Sequence, residues 1–426
     1  MKLLTAPRPI DAVITPPPSK SLTHRALIAA ALAPGRTRLA NPLDAEDTRL
    51  TASALARLGA GVRRSSTAWW EIEGWPDGRP PPGGPPLVRL QLGNSGTSLR
   101  LLMPVAALGT RSTLFDGRPR LRRRPVGPLA AALRSRGVQV DEQGRPGCPP
   151  VIVTGPLTGG ALAIDAAASS QFVSGLLLAG PRAGGPVHVD VLCLSSRPYV
   201  DLTRDVMASF GVQVRPDDRG RFEISPATYR SPGTYRVEAD ASAAAFLLAA
   251  GAATGGRVRV TGVGQDSPQG DRRFLDQLAA MGCSTTAGPD WMEVSGPLRH
   301  GLTADLNDTP DLVPPRAAVA LLAPTPSRRA GIAHLRHKES DRLAALAAEA
   351  ARLGGAVEAG PDFLAIDPAP LHGAEVAAHD DHRIAMAMAI VALRVPGMSL
   401  DDPDCVGKSY PGFFDDLARM IHGSAR

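Results

Sequence analysis

Short stretches of alternating apolar and polar residues recur along the chain, and each is followed by a longer segment whose apolar residues lie three or four positions apart. The alternation is clear in "VHVDV" at 187–191 and in "RVRV" at 257–260, and it predicts strands with one buried face. The longer segments predict amphipathic helices, and the glycines that close them are typical left-handed caps. The pattern therefore predicts a mixed α/β fold.

This arrangement of glycine, strand, polar loop and helix occurs six times. The copies start 74, 76, 71, 75 and 66 residues apart, at Gly35, Gly109, Gly185, Gly256, Gly331 and Gly397. A period of about 70 residues is longer than a solenoid repeat, so each copy must contain several strands and helices. Six copies divide into three plus three, which agrees with the two domains expected for 426 residues.

Composition argues against several classes of protein. The charged share of 21% and the hydrophobic share of 43% are typical of a soluble globular protein. The chain has no run of about 18 apolar residues, so no membrane span is predicted, and its start, "MKLLTAPRPIDAVITPP", lacks the apolar core of a signal peptide. The four cysteines form no CxxC pair, so we expect free thiols, no metal site and a cytoplasmic location.

The net charge of +6 favours small anionic substrates over nucleic acid, because the basic residues are scattered and aromatic residues make up only 4%. Of the 47 basic residues only four are lysines, and three of these, Lys20, Lys338 and Lys408, fall in polar loops. Lysine is a compact point charge with a tunable pKa, whereas arginine is a fork of constant charge. We therefore expect these lysines to serve as proton donors or as single-point charge contacts, roles for which arginine is poorly suited.

The first polar loop, "PSKSLTHRAL" at 18–27, has the features of an anion-binding helix start. Ser21 is predicted to be the N-cap, because its hydroxyl can accept a hydrogen bond from an N–H two or three residues on. Arg25 then lies one turn later on the same face. Together with Lys20 they would face an anion at the positive end of the helix. Taken alone, the pattern is equally typical of an ordinary capped helix.

Further loops in the first half carry groups suited to phosphate or carboxylate. "LGNSGTSLR" at 92–100 places Asn94 beside Gly96, which permits close approach of a ligand to the backbone. "RPRLRRRP" at 118–125 contains five arginines, of which we expect one or two, including Arg124, to turn inward. "SSQF" and "SSRPY" add hydroxyl and amide groups: Ser169, Ser170, Gln171, Ser196 and Tyr199. Each of these loops alone is also typical of a turn or a cap.

The second half differs, because its polar loops mix carboxylates with cations. "NDTPDLVP" places Asp311 in a turn, and "RHKESDR" carries Lys338, Glu339 and Arg342 at a helix start. "DDHRIAMA" places Arg383 just before a strongly apolar helix, and "GKSYPGFF" contains Lys408. A run such as "KESDR" is, by itself, most often a solvated helix start.

Taken in order, these loops resemble the 5-enolpyruvylshikimate-3-phosphate (EPSP) synthase family, also called 3-phosphoshikimate 1-carboxyvinyltransferases. The resemblance rests on "SKSLTHR", "LGNSGTSLR", "RPRLRRRP", "SSQF", "SSRPY", "GDRRF", "RHKESDR", "DDHRIAMA" and "GKSYPGFF". It implies a two-domain inside-out α/β barrel in which each domain has three βαβαββ units. The N-terminal domain, 18–237, would bind mainly shikimate 3-phosphate. The second domain, 1–17 with 238–426, would supply the catalytic carboxylates and the phosphoenolpyruvate side.

The resemblance also implies a site for each substrate. Shikimate 3-phosphate would be bound by Lys20, Ser21, Arg25, Ser169, Ser170, Gln171, Ser196, Tyr199, Asp311 and Lys338. Phosphoenolpyruvate would be bound by Lys20, Asn94, Gly96, Arg124, Gln171, Arg342, Arg383 and Lys408. His334 occupies a position that is asparagine in some members.

In the family's reaction the substrate 5-hydroxyl adds to C2 of the enolpyruvyl group while C3 gains a proton, and the ketal then loses phosphate and a C3 proton. This requires a base, an acid and cations. By resemblance Asp311 is the base, Glu339 is the carboxyl group at C3, and Lys20 or Lys408 transfers a proton or supplies charge. No metal or organic cofactor is implied, and the chain is expected to be a monomer.

Two other functions remain open from the sequence. The sister enolpyruvyl transferase, which acts on UDP-N-acetylglucosamine, uses a loop cysteine as its acid, and here only Cys148 in "GRPGCPP" suggests such a residue. A non-catalytic anion-binding or RNA-binding module could also use these helix starts, and it would not need Asp311 or Glu339 as carboxylates.

Overall fold

The computed structural model describes residues 1–65, 68–217 and 220–423. The chain divides into two units by its own contacts. One is formed by Pro18–Val237, and the other by Met1–Pro17 together with Glu238–Arg426. We call them the N-terminal unit and the C-terminal unit. Each has its own hydrophobic core, formed only by side chains of that unit. The binding of one substrate by each unit stays a prediction.

In the C-terminal unit the first strand is β1 (Asp11–Ile14), and the remaining elements of this unit follow residue 237. The strands of the N-terminal unit are β2 (Gly35–Ala40), β3 (Gly61–Arg64), β4 (Trp69–Gly74), β5 (Leu87–Gln91), β6 (Ser112–Asp116), β7 (Gln139–Glu142), β8 (Val151–Thr154), β9 (Gly160–Ala166), β10 (Val187–Leu194), β11 (Phe222–Ile224) and β12 (Thr234–Arg236). Its helices are α1 (Lys20–Leu32), α2 (Glu46–Arg57), α3 (Gly96–Ala106), α4 (Gly127–Arg134), α5 (Gln171–Ala179) and α6 (Arg197–Ser209).

The rest of the C-terminal unit has a similar content of strands and helices. Its strands are β13 (Arg257–Thr261), β14 (Ser284–Ala287), β15 (Trp291–Ser295), β16 (Thr303–Asp305), β17 (Ser327–Ala330), β18 (Ala356–Ala359), β19 (Leu364–Asp367), β20 (Glu375–Val376) and β21 (Ser399–Leu400). Its helices are α7 (Ala241–Thr254), α8 (Phe274–Ala280), α9 (Val313–Leu321), α10 (Arg342–Arg352), α11 (His382–Ala392) and α12 (Phe413–His422).

Four sheets share one pattern, in which the first two strands are parallel and the next two pairs are antiparallel. Their strand orders are β12-β2-β4-β3 and β5-β6-β8-β7 in the N-terminal unit, and β1-β13-β15-β14 and β16-β17-β19-β18 in the C-terminal unit. Two sheets are shorter: β9-β10-β11 and the pair β20-β21. The mixed α/β fold is thus confirmed. No sheet formed by the described residues closes on itself, so the inside-out barrel of six equal units stays a prediction.

The predicted alternation is confirmed in β13, where Val258 and Val260 are buried, and in the first part of β10, where Val187 and Val189 are buried. The helices are of two kinds. Some, such as α10 and α12, bury one face, as the three-and-four spacing predicts. Others are apolar on all sides and are therefore buried throughout. In α7, α9 and α11 every residue is buried, and in α1 only Ser21 is not.

The buried helices position much of the candidate site, because predicted substrate-binding residues stand where several of them begin. Lys20 is the first residue of α1, Gly96 of α3 and Gln171 of α5, and Arg383 is the second residue of α11. Their first backbone N–H groups have no partner within the helix. None of the described helices combines the length and apolar character that crossing a membrane requires.

Candidate active site

The start of α1 corrects one prediction. The N-cap is Ser19, which has an extended backbone and accepts a hydrogen bond from the Leu22 N–H at 3.4 Å, so Ser21 already lies inside the helix. The prediction was wrong because two serines, Ser19 and Ser21, stand only two residues apart and either could cap the helix. Lys20 is consequently the first helical residue, and its Nζ lies 3.4 Å from the Asp47 carboxylate. Asp47, which is 1% exposed, was not predicted from the sequence.

Arg25 is buried and is held by neutral oxygen atoms. Its Nε donates to the Thr203 hydroxyl at 2.8 Å, and its other nitrogens donate to the backbone carbonyls of Ser21 and Tyr199, each at 3.0 Å. Burial lowers the pKa of Arg25 to about 10, so the guanidinium still carries its charge at neutral pH. Within the described residues it forms no ion pair. Arg25 therefore has a charge that a bound anion can neutralise.

A second buried arginine, Arg100, orients the residues of the "SSQF" loop. Its Nη1 donates to the Ser169 hydroxyl at 3.2 Å and to Gln171 Oε1 at 3.1 Å. The amide nitrogen of Gln171 in turn donates to the Thr97 hydroxyl at 2.9 Å. Arg100 lies inside a motif quoted above but was given no role there. Its spacing of four residues after Gly96 on α3 is the signal that could have identified it.

Arg124 is the arginine of the "RPRLRRRP" loop that turns inward, as predicted for one or two of the five. It is 3% exposed and donates to the Asn94 carbonyl at 3.2 Å. Its guanidinium packs against Gly96 so closely that a Cβ on that glycine would overlap it. By contrast, the Arg122 side chain is about half exposed and pairs with Asp116 at 2.7 Å.

The other predicted residues of the N-terminal unit are buried or half-buried beside these groups. Ser169, Ser170 and Ser196 are each less than 5% exposed, and Ser196 has a left-handed backbone, with φ of 56°, just before α6. The half-buried Tyr199 ring lies 6.0 Å from the Arg25 guanidinium carbon. We call Lys20, Arg25, Asn94, Gly96, Arg100, Arg124, Ser169, Gln171 and Tyr199 the N-terminal set.

In the C-terminal unit, Arg342 collects three carboxylates. Its Nη1 donates to Asp311 at 3.0 Å, its Nη2 to Glu339 at 2.9 Å and its Nε to Asp381 at 2.8 Å. Arg342 is 1% exposed. Burial alone would lower its pKa, but the negative charges of Asp381, Glu339 and Asp311 raise the pKa above its ordinary value. The Arg342 guanidinium therefore keeps its positive charge, and the three carboxylates already balance that charge.

Asp311 is held from a second side by Arg383, whose Nη2 donates to it at 2.9 Å. It lies in a short 3-10 helix, Pro310–Leu312, directly before α9. Asp381 caps α11 by accepting from the Arg383 N–H at 3.0 Å, and it also accepts from the Ser340 hydroxyl at 3.0 Å. We call Asp311, Glu339, Arg342, Asp381 and Arg383 the C-terminal cluster.

Asp271 adds a carboxyl group next to this cluster that the sequence analysis did not assign. It is 3% exposed and accepts a hydrogen bond from the Ser242 hydroxyl. Burial, and after it the charge of Asp311, raises the pKa of Asp271 to about 6. Its place in the quoted motif "GDRRF" was the available signal.

The remaining predicted groups lie near the ends of two short 3-10 helices. Lys338 follows Ala333–His337 and is half-buried, while Lys408 ends Asp404–Lys408 and is 5% exposed. Their contacts with substrate stay a prediction. His334 is 5% exposed, and burial together with the charge of Lys338 lowers its pKa to about 3, so the imidazole is neutral at physiological pH.

Two observations bear on cofactors and on a cysteine acid. Among the described residues, no three histidine, cysteine, aspartate or glutamate side chains are grouped as metal ligands would be. Cys148 is 6% exposed, and burial raises the pKa of its thiol. It therefore lacks the lowered pKa that is typical of reactive cysteines.

Comparisons with known proteins show which family this chain resembles in sequence and in fold. The model of the EPSP synthase (3-phosphoshikimate 1-carboxyvinyltransferase) family matches residues 4–417. A 3-phosphoshikimate 1-carboxyvinyltransferase of Methanoculleus marisnigri is 47% identical over 415 residues, which cover 96% of each chain. One from Serratia proteamaculans is 40% identical over 415 residues, with 96% of each chain covered. The 2.37 Å structure of EPSP synthase from Acinetobacter baumannii aligns with a TM-score of 0.80 at 27% identity, covering 98% of this chain and 97% of that one.

Proposed function

Since this chain belongs to the EPSP synthase family, we propose that its two groups of polar residues have separate roles in the family's reaction. The chain transfers the enolpyruvyl group of phosphoenolpyruvate to the 5-hydroxyl of shikimate 3-phosphate, a step of the shikimate pathway to chorismate and the aromatic amino acids. The N-terminal set binds anionic groups, and the C-terminal cluster supplies carboxylates for proton transfer. The contrast between Arg25 and Asp311 carries this proposal.

Arg25 supports the first role, because it is a buried cation whose hydrogen-bond acceptors are all neutral. An anionic group of shikimate 3-phosphate would neutralise it through charge-assisted hydrogen bonds, which are stronger than neutral ones. Ser21, Ser169, Ser170, Gln171, Ser196 and Tyr199 add the hydroxyl and amide groups that orient the same substrate. Lys20, Asn94, Gly96 and Arg124 bind phosphoenolpyruvate in this assignment.

Asp311 supports the second role, because Arg342 and Arg383 keep its carboxylate in place from two sides. As the base, it accepts the proton of the substrate 5-hydroxyl while the oxygen bonds to C2 of phosphoenolpyruvate. Glu339, as the acid, gives a proton to C3. The ketal then loses phosphate, and a proton leaves C3, so that the enolpyruvyl double bond is restored. Lys338 binds shikimate 3-phosphate, and Lys20 and Lys408 neutralise or protonate the phosphoenolpyruvate anion.

The two arginines of the cluster also explain how the base becomes active. We assign Arg342 and Arg383 to the binding of phosphoenolpyruvate, yet both already bind carboxylates. When the anionic substrate shares these guanidinium groups, Asp311 loses part of their stabilising charge. An oxygen of the Asp311 carboxylate is then released from its arginine partner. Binding of phosphoenolpyruvate would thus leave that oxygen able to accept the proton of the substrate hydroxyl.

The test is a phosphate-release assay with shikimate 3-phosphate and phosphoenolpyruvate, applied to D311N and E339Q. Each variant keeps the shape of the side chain, and we expect turnover to fall by at least about 10²-fold, the low end for an acid or base. Binding of both substrates, measured by calorimetry, should persist. Near-normal turnover would contradict the assigned roles. Release of phosphate with UDP-N-acetylglucosamine as the acceptor would point instead to the sister transferase.

We also propose the finer description of the molecule. The shared strand order of four sheets supports six βαβαββ units arranged as an inside-out barrel. We propose that the chain is a cytoplasmic monomer, and its scattered basic residues and scarce aromatic residues support the proposal that it binds no nucleic acid. Sedimentation analysis and a nucleic-acid binding assay at physiological salt would test the last two points.

A further inference from the structure

Two buried arginines in the C-terminal unit lie outside the proposed catalytic machinery. Arg316 belongs to α9, and Arg329 belongs to β17 in the sheet β16-β17-β19-β18. Both are 0% exposed. Helix α9 is buried on all sides and packs against β19, the neighbour of β17. Nothing in the enolpyruvyl transfer reaction assigns these two residues a role.

The Arg329 side chain contacts the backbone of Arg316, and the guanidinium nitrogens of both residues are poorly satisfied. Arg329 Nη2 donates to the backbone carbonyl of Arg316 at 2.9 Å. All three side-chain nitrogens of Arg316, together with Nε and Nη1 of Arg329, have no hydrogen-bond partner in the described chain. Buried polar groups in native proteins nearly always have partners, and guanidinium groups, which only donate, need acceptors.

The pair also lacks a counter-charge. Within the described residues neither arginine forms an ion pair, although other buried arginines such as Arg342 have carboxylates. Burial lowers the pKa of Arg316 to about 10, and burial together with the charge of Arg316 lowers the pKa of Arg329 to about 9. Both groups are therefore still charged at neutral pH. Two like charges side by side in a protein interior are strongly unfavourable unless an opposite charge joins them.

We propose that Arg316 and Arg329 form a binding site for a small inorganic anion, such as chloride, which bridges the two guanidinium groups. The unsatisfied nitrogens provide donors from two sides, and the paired positive charges provide the attraction. Burial of the two side chains limits the ligand to a small ion. These nitrogens are shielded from solvent, so only a compact ion can reach both side chains after a small shift, whereas a bulky organic anion cannot. The inference does not depend on the proposed function.

The first test compares thermal unfolding in sodium chloride with unfolding in sodium gluconate at the same ionic strength. Because chloride would bind the folded state, we expect it to raise the midpoint of the natural chain by at least about 2 °C at saturation. The double variant R316M/R329M keeps long side chains without charge, and it should lose this rise. R257M, which removes a half-exposed arginine paired with Asp11 and Glu293, is the matched control and should keep it.

An equal rise in the natural chain and in R316M/R329M would overturn the proposal, and so would the absence of a rise in the natural chain. A second measurement does not depend on the folding of a variant. Crystals of the natural chain grown in bromide should show an anomalous peak within hydrogen-bond distance of both guanidinium groups. A bromide-soaked crystal with ordered Arg316 and Arg329 side chains and no such peak would equally overturn the site.

Discussion

Two buried arginines, Arg25 in the N-terminal unit and Arg342 in the C-terminal unit, have opposite surroundings. In the N-terminal unit, Arg25 is surrounded by a hydroxyl and backbone carbonyls, and burial lowers its pKa to about 10. In the C-terminal unit, Arg342 has three carboxylates, whose charges raise its pKa in spite of burial. The same type of side chain therefore has two different roles. Arg25 leaves a positive charge for a ligand, whereas Arg342 uses its charge to position acids.

The ends of the buried helices show the same contrast. Helix α1 begins after a neutral cap, Ser19, so the positive end of the helix favours a bound anion, and Lys20 beside it pairs with Asp47. Helix α11 begins with Asp381, a carboxylate of the protein itself, which already accepts from the Arg383 N–H. The start of α1 therefore has no carboxylate cap and favours a substrate anion. The start of α11 is capped by the Asp381 carboxylate, which also accepts a hydrogen bond from Arg342.

Replacing one arginine from each unit should show the largest difference. R342M leaves the buried carboxylates of Glu339 and Asp381, and the partly exposed carboxylate of Asp311, without their shared cation, so we expect the free energy of unfolding to fall by about 3–5 kcal/mol. R25M leaves only neutral acceptors, so its loss should be much smaller. It should instead raise the KM for shikimate 3-phosphate by about 10- to 100-fold, since it removes hydrogen bonds to a charged group.

Urea unfolding and steady-state kinetics measure these two effects. R122M, which removes a half-exposed arginine that pairs with Asp116, is the control for the loss of any arginine. Equal losses of stability in R342M and R25M would show that the two environments do not differ in the way described above.

The second prediction concerns Asp271, the additional carboxyl group beside the C-terminal cluster. Its pKa of about 6 lies above the ordinary value of 3.8, so the folded state binds its proton more tightly than the unfolded chain does. Folding stability due to this group is therefore present below about pH 4 and is lost as the pH rises to about 6. D271N cannot ionise, so relative to the natural chain it should gain up to about 3 kcal/mol between pH 4 and pH 7.

Unfolding by urea at a series of pH values would measure this difference. The exposed Asp290 provides the control variant D290N, the same chemical change at a site outside the C-terminal cluster. A D271N curve parallel to that of the natural chain would contradict the raised pKa of Asp271 and its causes, which are burial and, after it, the charge of Asp311.

The sequence allowed more of the candidate site residues to be predicted than of the residues that hold them in place. Lys20, Arg25 and Arg342 could be proposed as site residues because each lies in a short polar motif at a helix start. Which serine caps α1 could not be decided, since Ser19 and Ser21 both suit the role and only the backbone conformation separates them.

Partners distant in sequence could not be predicted either. Arg100 reaches Ser169 and Gln171, which lie 69 and 71 residues away, through the packing of α3 against α5. Local patterns of polarity show which face of an element is buried, but not which side chain of another element meets it. The proximity of Arg316 and Arg329 could not be predicted for the same reason, because neither local sequence shows that the two residues meet inside the unit.

The smallest expected effect concerns the close packing of the Arg124 guanidinium against Gly96. G96A adds one methyl group where the Arg124 guanidinium packs, so the arginine must move while the buried helix stays in place. We expect little loss of stability but an increase of about 10-fold in the KM for phosphoenolpyruvate, which corresponds to about 1.4 kcal/mol. G83A is the matched control in the same unit, since no atom lies within 4 Å of its added Cβ. If G96A and G83A have the same KM, Arg124 does not bind phosphoenolpyruvate from this position.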